Sequence, residues 1–162
     1  MSIRFKKQKQ IKGAPMPLFD RLIDTEPHIK SESSVKNFLT EAGLRKSIAS
    51  ELTNILDTRI GSHIDLPEKS KSDYAMMPEQ FGIRDLAGIT AQDESGQRKI
   101  TSHIKAAILR YEPRLLNPKV RLKKVQAEDY ALDVSISGDV IIDNVRKKIQ
   151  FPLVLTNILG QK

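Results

Sequence analysis

Residues that could act as nucleophiles, acid–base groups or metal ligands are few and scattered. The three histidines, His28, His63 and His103, lie too far apart for a metal-binding motif, and we interpret them as surface or internally satisfied side chains. Two Ser-x-x-Lys tetrads begin at Ser33 and Ser102, but the companion motifs of a serine acylase are absent. The sequence therefore predicts no metal site and no serine nucleophile.

Paired carboxylates are the remaining route to catalysis. A glycosidase holds two of them roughly 5–10 Å apart across a sugar cleft. Asp85, Asp93 and Glu112 are the candidates, but no spacing in the sequence brings two of them together. Tryptophan is absent and aromatic residues make up only 5% of the chain, which leaves little for sugar stacking. We expect neither enzymatic activity nor a cofactor.

One short segment, Tyr111-Glu112-Pro113-Arg114-Leu115, combines opposite charges with a constrained backbone. Pro113 disfavours helix at Glu112, so a preceding helix should end there and the chain should turn. Two interpretations follow. Glu112 and Arg114 form an ion pair within the chain at a helix-to-strand corner, or Arg114 presents a preset fork to a partner's carboxylate. Composition alone favours the ion pair.

Two amphipathic helices are predicted to position this segment. The first occupies about Leu44–Thr58, with Gly43 separating it from a shorter helix, Ser33 or Ser34 as a cap, and Gly61 as the stop. The second covers 98–111. Apolar side chains recur at helical spacing in both. They are Leu44, Ile48, Leu52, Ile55 and Leu56 in the first helix, and Ile100, Ile104, Ala107, Ile108 and Tyr111 in the second.

The segment between the helices, residues 60–97, has no periodicity and is interrupted by proline and glycine. It is nevertheless too apolar for a free loop, so we expect it to be fixed to the body of the domain or to a partner. The apolar residues concerned are Tyr74, Met76, Met77, Phe81, Ile83 and Leu86.

From Asn117 onward the apolar period changes to two, which predicts three strands. Turn-forming residues separate them at Ala127–Asp129 and at Asp143-Asn144. Short turns indicate an antiparallel meander, and Pro152 suits an edge strand. The predicted fold class is α+β: a two-layer domain in which an antiparallel meander is covered by two main helices.

Before the helices, residues 1–33 contain three prolines and a basic cluster, which predict an extended arm with one short helix at Leu18–Ile23. Such an arm either packs on its own domain or docks on a partner, and its prolines and basic cluster favour docking on a partner. Residues 34–162 are predicted to form a single domain.

The chain has 162 residues, a net charge of +7 and no cysteine. Disulfides and thiolate sites are excluded, and a basic balance makes nucleic acid, anionic lipid or an acidic protein surface the candidate partners. No apolar stretch approaches the roughly 20 residues of a spanning helix, and the basic N-terminus lacks the apolar region of a signal peptide. The sequence predicts a cytoplasmic protein.

The order of four phrases resembles the TssE family, the baseplate subunits of type VI secretion systems, which are similar to the lysozyme-like wedge proteins of contractile phage tails. The Glu-Pro-Arg-Leu motif is the most specific piece, and the match spans about residues 18–155. The phrases are Leu18-Phe19-Asp20-Arg21-Leu22; Ser47-Ile48 with Leu52 and Ile55-Leu56-Asp57-Thr58-Arg59; Phe81-Gly82-Ile83-Arg84-Asp85-Leu86; and Ile104 and Ile108 with Tyr111-Glu112-Pro113-Arg114-Leu115.

The resemblance implies a non-enzymatic subunit that joins baseplate wedge proteins, TssF- and TssG-like and TssK-like, and templates the first layer of the contractile sheath at the inner face of the cell envelope. It implies no small-molecule substrate, no nucleic acid and no membrane insertion. A basic nucleic-acid-binding domain and a cell-wall hydrolase are the alternatives. The implied partner-binding residues are Leu18, Phe19, Arg21, Leu22, Arg59, Glu112, Pro113, Arg114 and Leu115.

Overall fold

A computed structural model describes residues 13–23, 27–28, 38–60, 80–86, 88–89, 91–126 and 131–155. The elements in chain order are β1 (Ala14–Pro15), α1 (Leu18–Leu22), β2 (Phe38–Leu39), α2 (Glu41–Asp57), α3 (Glu94–Tyr111), β3 (Leu116–Gln126), β4 (Ala131–Ile142) and β5 (Val145–Leu155). Helices α2 and α3 pack on a three-stranded antiparallel sheet of order β3-β4-β5. The predicted α+β class is confirmed.

Helix α2 begins earlier than its apolar stripe suggests. The side chain of Thr40 accepts a hydrogen bond from the backbone N–H of Gly43 at 3.2 Å and caps α2, while the expected cap residues Ser33 and Ser34 lie outside the described residues. Gly43 lies within the first turn and does not divide the stretch. The helix ends at Asp57, so Gly61 is not its stop.

Helix α3 also begins before the predicted residue 98. Asp93 Oδ1 accepts from the backbone N–H of Gly96 at 2.9 Å, which satisfies one of the unpaired amides of the first turn and starts the helix at Glu94. The end at Tyr111 is the one that Pro113 predicts.

The sheet places most of its apolar residues on one face. Ile136 of β4 lies opposite Val120 of β3 and Phe151 of β5, and all three belong to or pack against the core. The β4–β5 turn is formed by Asp143 and Asn144 with φ of 51° and 61°, the left-handed backbone of a tight two-residue hairpin. Within the described strands β5 is an edge, as the proline in it predicts.

Both predicted helical stripes lie in the core between helices and sheet, with Leu52 and Ile104 fully buried. Strand β1 pairs with β2, and Ala14 is buried, so this part of the N-terminal arm packs on its own domain. The backbone N–H of Gly13 also donates to the carboxylate of Asp143 at the tip of the β4–β5 hairpin. Among the described residues, no helix is both long and apolar enough to cross a membrane.

Candidate functional site

The corner, which we define as residues 112–115, joins the end of α3 to the start of β3. The backbone N–H of Glu112 still donates to the carbonyl of Ile108 at 2.9 Å, and the N–H of Leu115 donates back to the carbonyl of Glu112 at 3.2 Å. Leu115 is buried against Gly138, where an added Cβ would lie 2.7 Å from the leucine side chain. The turn is therefore anchored at both ends, and Pro113 is left exposed.

Within the corner, Glu112 and Arg114 form a two-point ion pair. Arg114 Nε donates to Glu112 Oε1 at 2.8 Å and Nη2 donates to Oε2 at 2.6 Å, while the Arg114 backbone N–H donates to Oε1 at 3.1 Å. Glu112 is 1% exposed, whereas the Arg114 side chain retains 24% exposure. The planar guanidinium matches the planar carboxylate, so the pair holds one orientation.

Helix α2 contacts the same guanidinium directly, and α1 is linked to it through Ser47. Arg114 Nη1 donates to Ser47 Oγ of α2 at 2.9 Å, and Ser47 Oγ donates to Asp20 Oδ2 of α1 at 3.4 Å. The hydrogen bonding of Arg114 to the Glu112 carboxylate is the largest cause that raises the pKa of Arg114, and the charges of Glu51 and Asp20 act in the same direction. The corner is thus linked to α1 and α2, and Arg114 stays charged.

The last turn of α3 is clamped by the segment that precedes the helix. The Tyr111 hydroxyl donates to the carbonyl of Gln80, and its ring meets that of Phe81 edge-on at 5.1 Å between centroids. Ile83 and Leu86 are buried in the core, as expected for this apolar segment. The other apolar residues of the prediction, Tyr74, Met76 and Met77, lie outside the described residues.

Three of the predicted site residues of α1, Leu18, Arg21 and Leu22, lie on its outward side. Leu18 and Leu22 are 66% and 71% exposed. Arg21 is exposed, and its Nε donates to the carbonyl of Met16 at 2.8 Å. Phe19 lies within the helix, but its side chain lies outside the described part of the structure. The contact of Asp20 with Ser47 places this small apolar surface beside the corner.

Arg59, in contrast, is not brought to the corner. It follows α2, and the end of that helix at Asp57 lies about 15 Å along the axis from Ser47. Its Nη1 donates to the carbonyl of Leu56 at 2.6 Å, and its backbone pairs with Ile83. Gly82 allows this close approach, with φ of +112° and no Cβ to meet the Thr58 carbonyl. Arg59 therefore fixes the end of α2.

Sequence reasoning did not identify Ser47 and Asp20 as members of this cluster. Ser47 is a short polar residue between the buried Leu44 and Ile48, beside the apolar stripe of α2. That position is a usable signal, because a polar residue at the border of a helix's apolar face commonly has a polar partner. Asp20 carried no such signal.

Glu112 and Asp93, two of the three carboxylates considered for catalysis, have structural contacts. Both oxygens of Glu112 accept from Arg114, and Asp93 is used as a helix cap. Partial burial, and secondarily the charge of Arg84, lowers the pKa of His103. In the described ranges, no three His, Asp or Glu side chains are grouped so that they could hold a metal ion. The corner can hold a rigid shape and offer hydrogen-bond donors.

Comparisons with known proteins give one family match and two structural matches. The sequence model of one protein family, described as baseplate wedge protein gp25, matches residues 42–145. A chain from a solved baseplate complex of the type VI secretion system is 18% identical, with a TM-score of 0.45, and the match covers 70% of this chain and 96% of that one. A crystal structure described as a tail lysozyme, from Geobacter sulfurreducens, is 21% identical, with a TM-score of 0.37 and coverage of 76% and 96%. No curated protein matches.

Proposed function

The chain belongs to the baseplate wedge protein gp25 family, and from this membership we propose that it is a non-enzymatic structural subunit of a contractile injection machine of the type VI secretion kind. The family match carries the proposal, since it runs from the start of α2 through α3, the corner and the hairpin into β5. In this role the protein joins wedge proteins and templates the first layer of the sheath. The assembly forms at the inner face of the cell envelope.

The corner is proposed as the contact to the wedge proteins. An arginine carries five N–H groups, and the described contacts of Arg114 use three of them, two on Glu112 and one on Ser47. The two remaining N–H groups, on a side chain held in place and still 24% exposed, can donate to an acceptor of a partner. Glu112 and Leu115 act by fixing this geometry, and Pro113 supplies an exposed surface next to it.

The outward side of α1 is proposed as the second part of the same contact. Leu18 and Leu22 present apolar area next to the charged side chain of Arg21, a combination typical of protein interfaces. Because α1 is linked to the corner through Asp20 and Ser47, a partner that covers one also reaches the other. The wedge partners are TssF- and TssG-like and TssK-like proteins.

The sheath contact is proposed at the open edge of the meander. Strand β5 pairs only with β4 among the described strands, and Val154 near its end is 64% exposed. An unpaired edge offers backbone N–H and C=O groups that an incoming strand can use. Sheath subunits would extend this sheet and so take their register from it.

The proposal is tested by purification of the tagged protein from its host. The wild type should carry wedge and sheath proteins with it. Arg114→Lys should lose them while remaining folded with a modestly lowered melting temperature, because an ammonium retains the charge beside Glu112 but not the planar donor set that also reaches Ser47. Arg98→Lys is the matched control, since the Arg98–Glu94 pair is on the surface, with 76% and 80% of the two side chains exposed.

Absence of wedge and sheath proteins from the wild-type preparation would refute the function. Normal assembly by Arg114→Lys would refute the role of the corner. Loss of both assembly and fold in that variant would assign Glu112 and Arg114 to internal stability alone.

A further inference from the structure

A basic hollow lies on the face of the sheet that points away from the helices, with a volume of about 320 Å³. Lys119 and Arg121 alternate outward along β3, and Lys148 projects from β5 on the same face. Two strand spacings separate β3 from β5, about 10 Å, so the three cations surround a space that one carboxylate-bearing chain can fill. The hollow is lined by Lys119, Arg121, Ser135, Ser137, Lys148, Ile149 and Gln150.

The floor of the hollow is polar and ordered. Ser135, on the central strand, is 5% exposed, and its Oγ accepts from Gln150 Nε2 at 2.7 Å. Ser137 lies directly opposite Lys119 on one side and Gln150 on the other. Hydroxyl and amide groups at the base of a cationic ring can bind an oxyanion by both charge and hydrogen bonds.

The three cations are not neutralised. Within the described residues, none of Lys119, Arg121 and Lys148 forms an ion pair, and like charges on one face of a sheet repel one another. Lys147, the neighbour of Lys148 on the opposite face, does have a partner, since its Nζ lies 2.6 Å from Glu41 Oε2. Lys147 thus contacts a carboxylate, whereas no carboxylate among the described residues forms an ion pair with the three cations of the hollow.

We propose that this hollow binds an acidic segment of a partner protein, whose Asp or Glu carboxylates enter between the outer strands. The inference rests on the proposed structural role, because it gives the chemistry of one partner surface in the assembly. An extended acidic chain presents carboxylates at intervals comparable to the spacing of side chains along β3, so Lys119 and Arg121 can be engaged together.

The carboxylates at both ends of the hollow distinguish an acidic peptide from a nucleic acid. Asp139 lies beyond Ser137 on β4, opposite Lys148, and it accepts from Asn117 Nδ2 at 3.3 Å. Asp133 lies on the same face beyond Ser135, about 20 Å from Asp139 at six residues of strand. A duplex carries a negative charge about every 1.7 Å and would meet both aspartates, whereas a short acidic segment fits between them.

The test is calorimetric titration of the purified full-length chain with a blocked oligoglutamate peptide at low salt. The variant Lys119→Gln/Arg121→Gln/Lys148→Gln should bind the peptide about tenfold more weakly or worse. The control, Arg45→Gln/Lys46→Gln/Lys99→Gln, removes the same charge from exposed positions on α2 and α3 and should keep binding within about threefold. Both variants should melt at the wild-type temperature.

Equal weakening in the two variants would overturn the proposal, as would equal wild-type binding of oligoglutamine. Tighter binding of a random DNA duplex that depends on the same three residues would assign the hollow to nucleic acid instead. Co-purification from the host tests the structural role separately. A wild-type protein that assembles but does not bind oligoglutamate refutes only the proposed binding of an acidic segment at the hollow. A wild-type protein that binds the peptide but carries no wedge or sheath proteins refutes the function alone.

Discussion

The corner and the basic hollow both contain cations, but they use them in opposite ways. Arg114 donates hydrogen bonds to Glu112 and Ser47 of the same chain, and the glutamate is 1% exposed. Lys119, Arg121 and Lys148 stand on an exposed sheet face without a carboxylate partner among the described residues. A charge balanced within the chain fixes the geometry of three elements, whereas a charge left unbalanced at the surface is available to another molecule.

Substitutions at the corner should lower the free energy of unfolding far more than substitutions in the hollow. Removing one member of a buried pair leaves the other charge desolvated without compensation. Removing an exposed cation changes the free energy of unfolding little, because water already solvates that cation in the folded protein. The two regions should therefore differ in how much a substitution changes the free energy of unfolding.

Arg114→Ala should reduce the free energy of unfolding by about 3–5 kcal/mol, since Glu112 would remain buried and unpaired. Urea unfolding at neutral pH measures the change. Arg98→Ala, which removes an exposed partner of Glu94, should cost no more than about 0.5 kcal/mol. A loss below about 1 kcal/mol for Arg114→Ala would remove the distinction between the two regions.

Ser47→Ala should cost about 1–2 kcal/mol, because it removes the hydrogen bond from a charged guanidinium and the link to Asp20. Ser50→Ala on the same helix is the matched control, since Ser50 is exposed and tests only helix propensity. Equal effects in the two variants, measured by the same urea titration, would show that Ser47 is not part of the cluster.

The triple substitution in the hollow, Lys119→Gln/Arg121→Gln/Lys148→Gln, should change the unfolding free energy by less than about 0.5 kcal/mol at each position. Relief of repulsion among the three cations should make the sum slightly favourable at low salt and negligible at high salt. A loss above about 2 kcal/mol would mean that these side chains are structural, like those of the corner.

Most of the fold could be predicted from the sequence because it depends on local periodicity. The apolar residues of α2 and the alternation around Ile136 report burial directly. The helix starts were wrong because single capping side chains, Thr40 and Asp93, outweigh the first apolar residue of each stripe. The pairing of β1 with β2 was missed, since strands of two residues have no period to detect.

The position of the corner could be predicted because Pro113 disfavours helical backbone at the residue immediately before it. The choice between an internal pair and a free fork could not be made, since it depends on how Glu112 is buried by the rest of the domain. Ser47 contacts Arg114 across 67 residues of sequence, and Asp20 contacts Ser47 across 27. Such pairings depend on tertiary packing, and one sequence does not encode them in any local pattern.

The strand order β3-β4-β5 has a consequence for how the chain folds. Each of these strands pairs with its neighbour in sequence, so little loop-closure entropy opposes the sheet, and hairpins of this kind form in about 1–10 μs. Docking of α2 is different, since its ion pair to the sheet, Lys147 with Glu41, closes a span of 106 residues. On the ribosome α2 and α3 emerge before the sheet that covers them. Their apolar faces therefore stay uncovered until the last strands are made, and packing of the core follows synthesis of the meander.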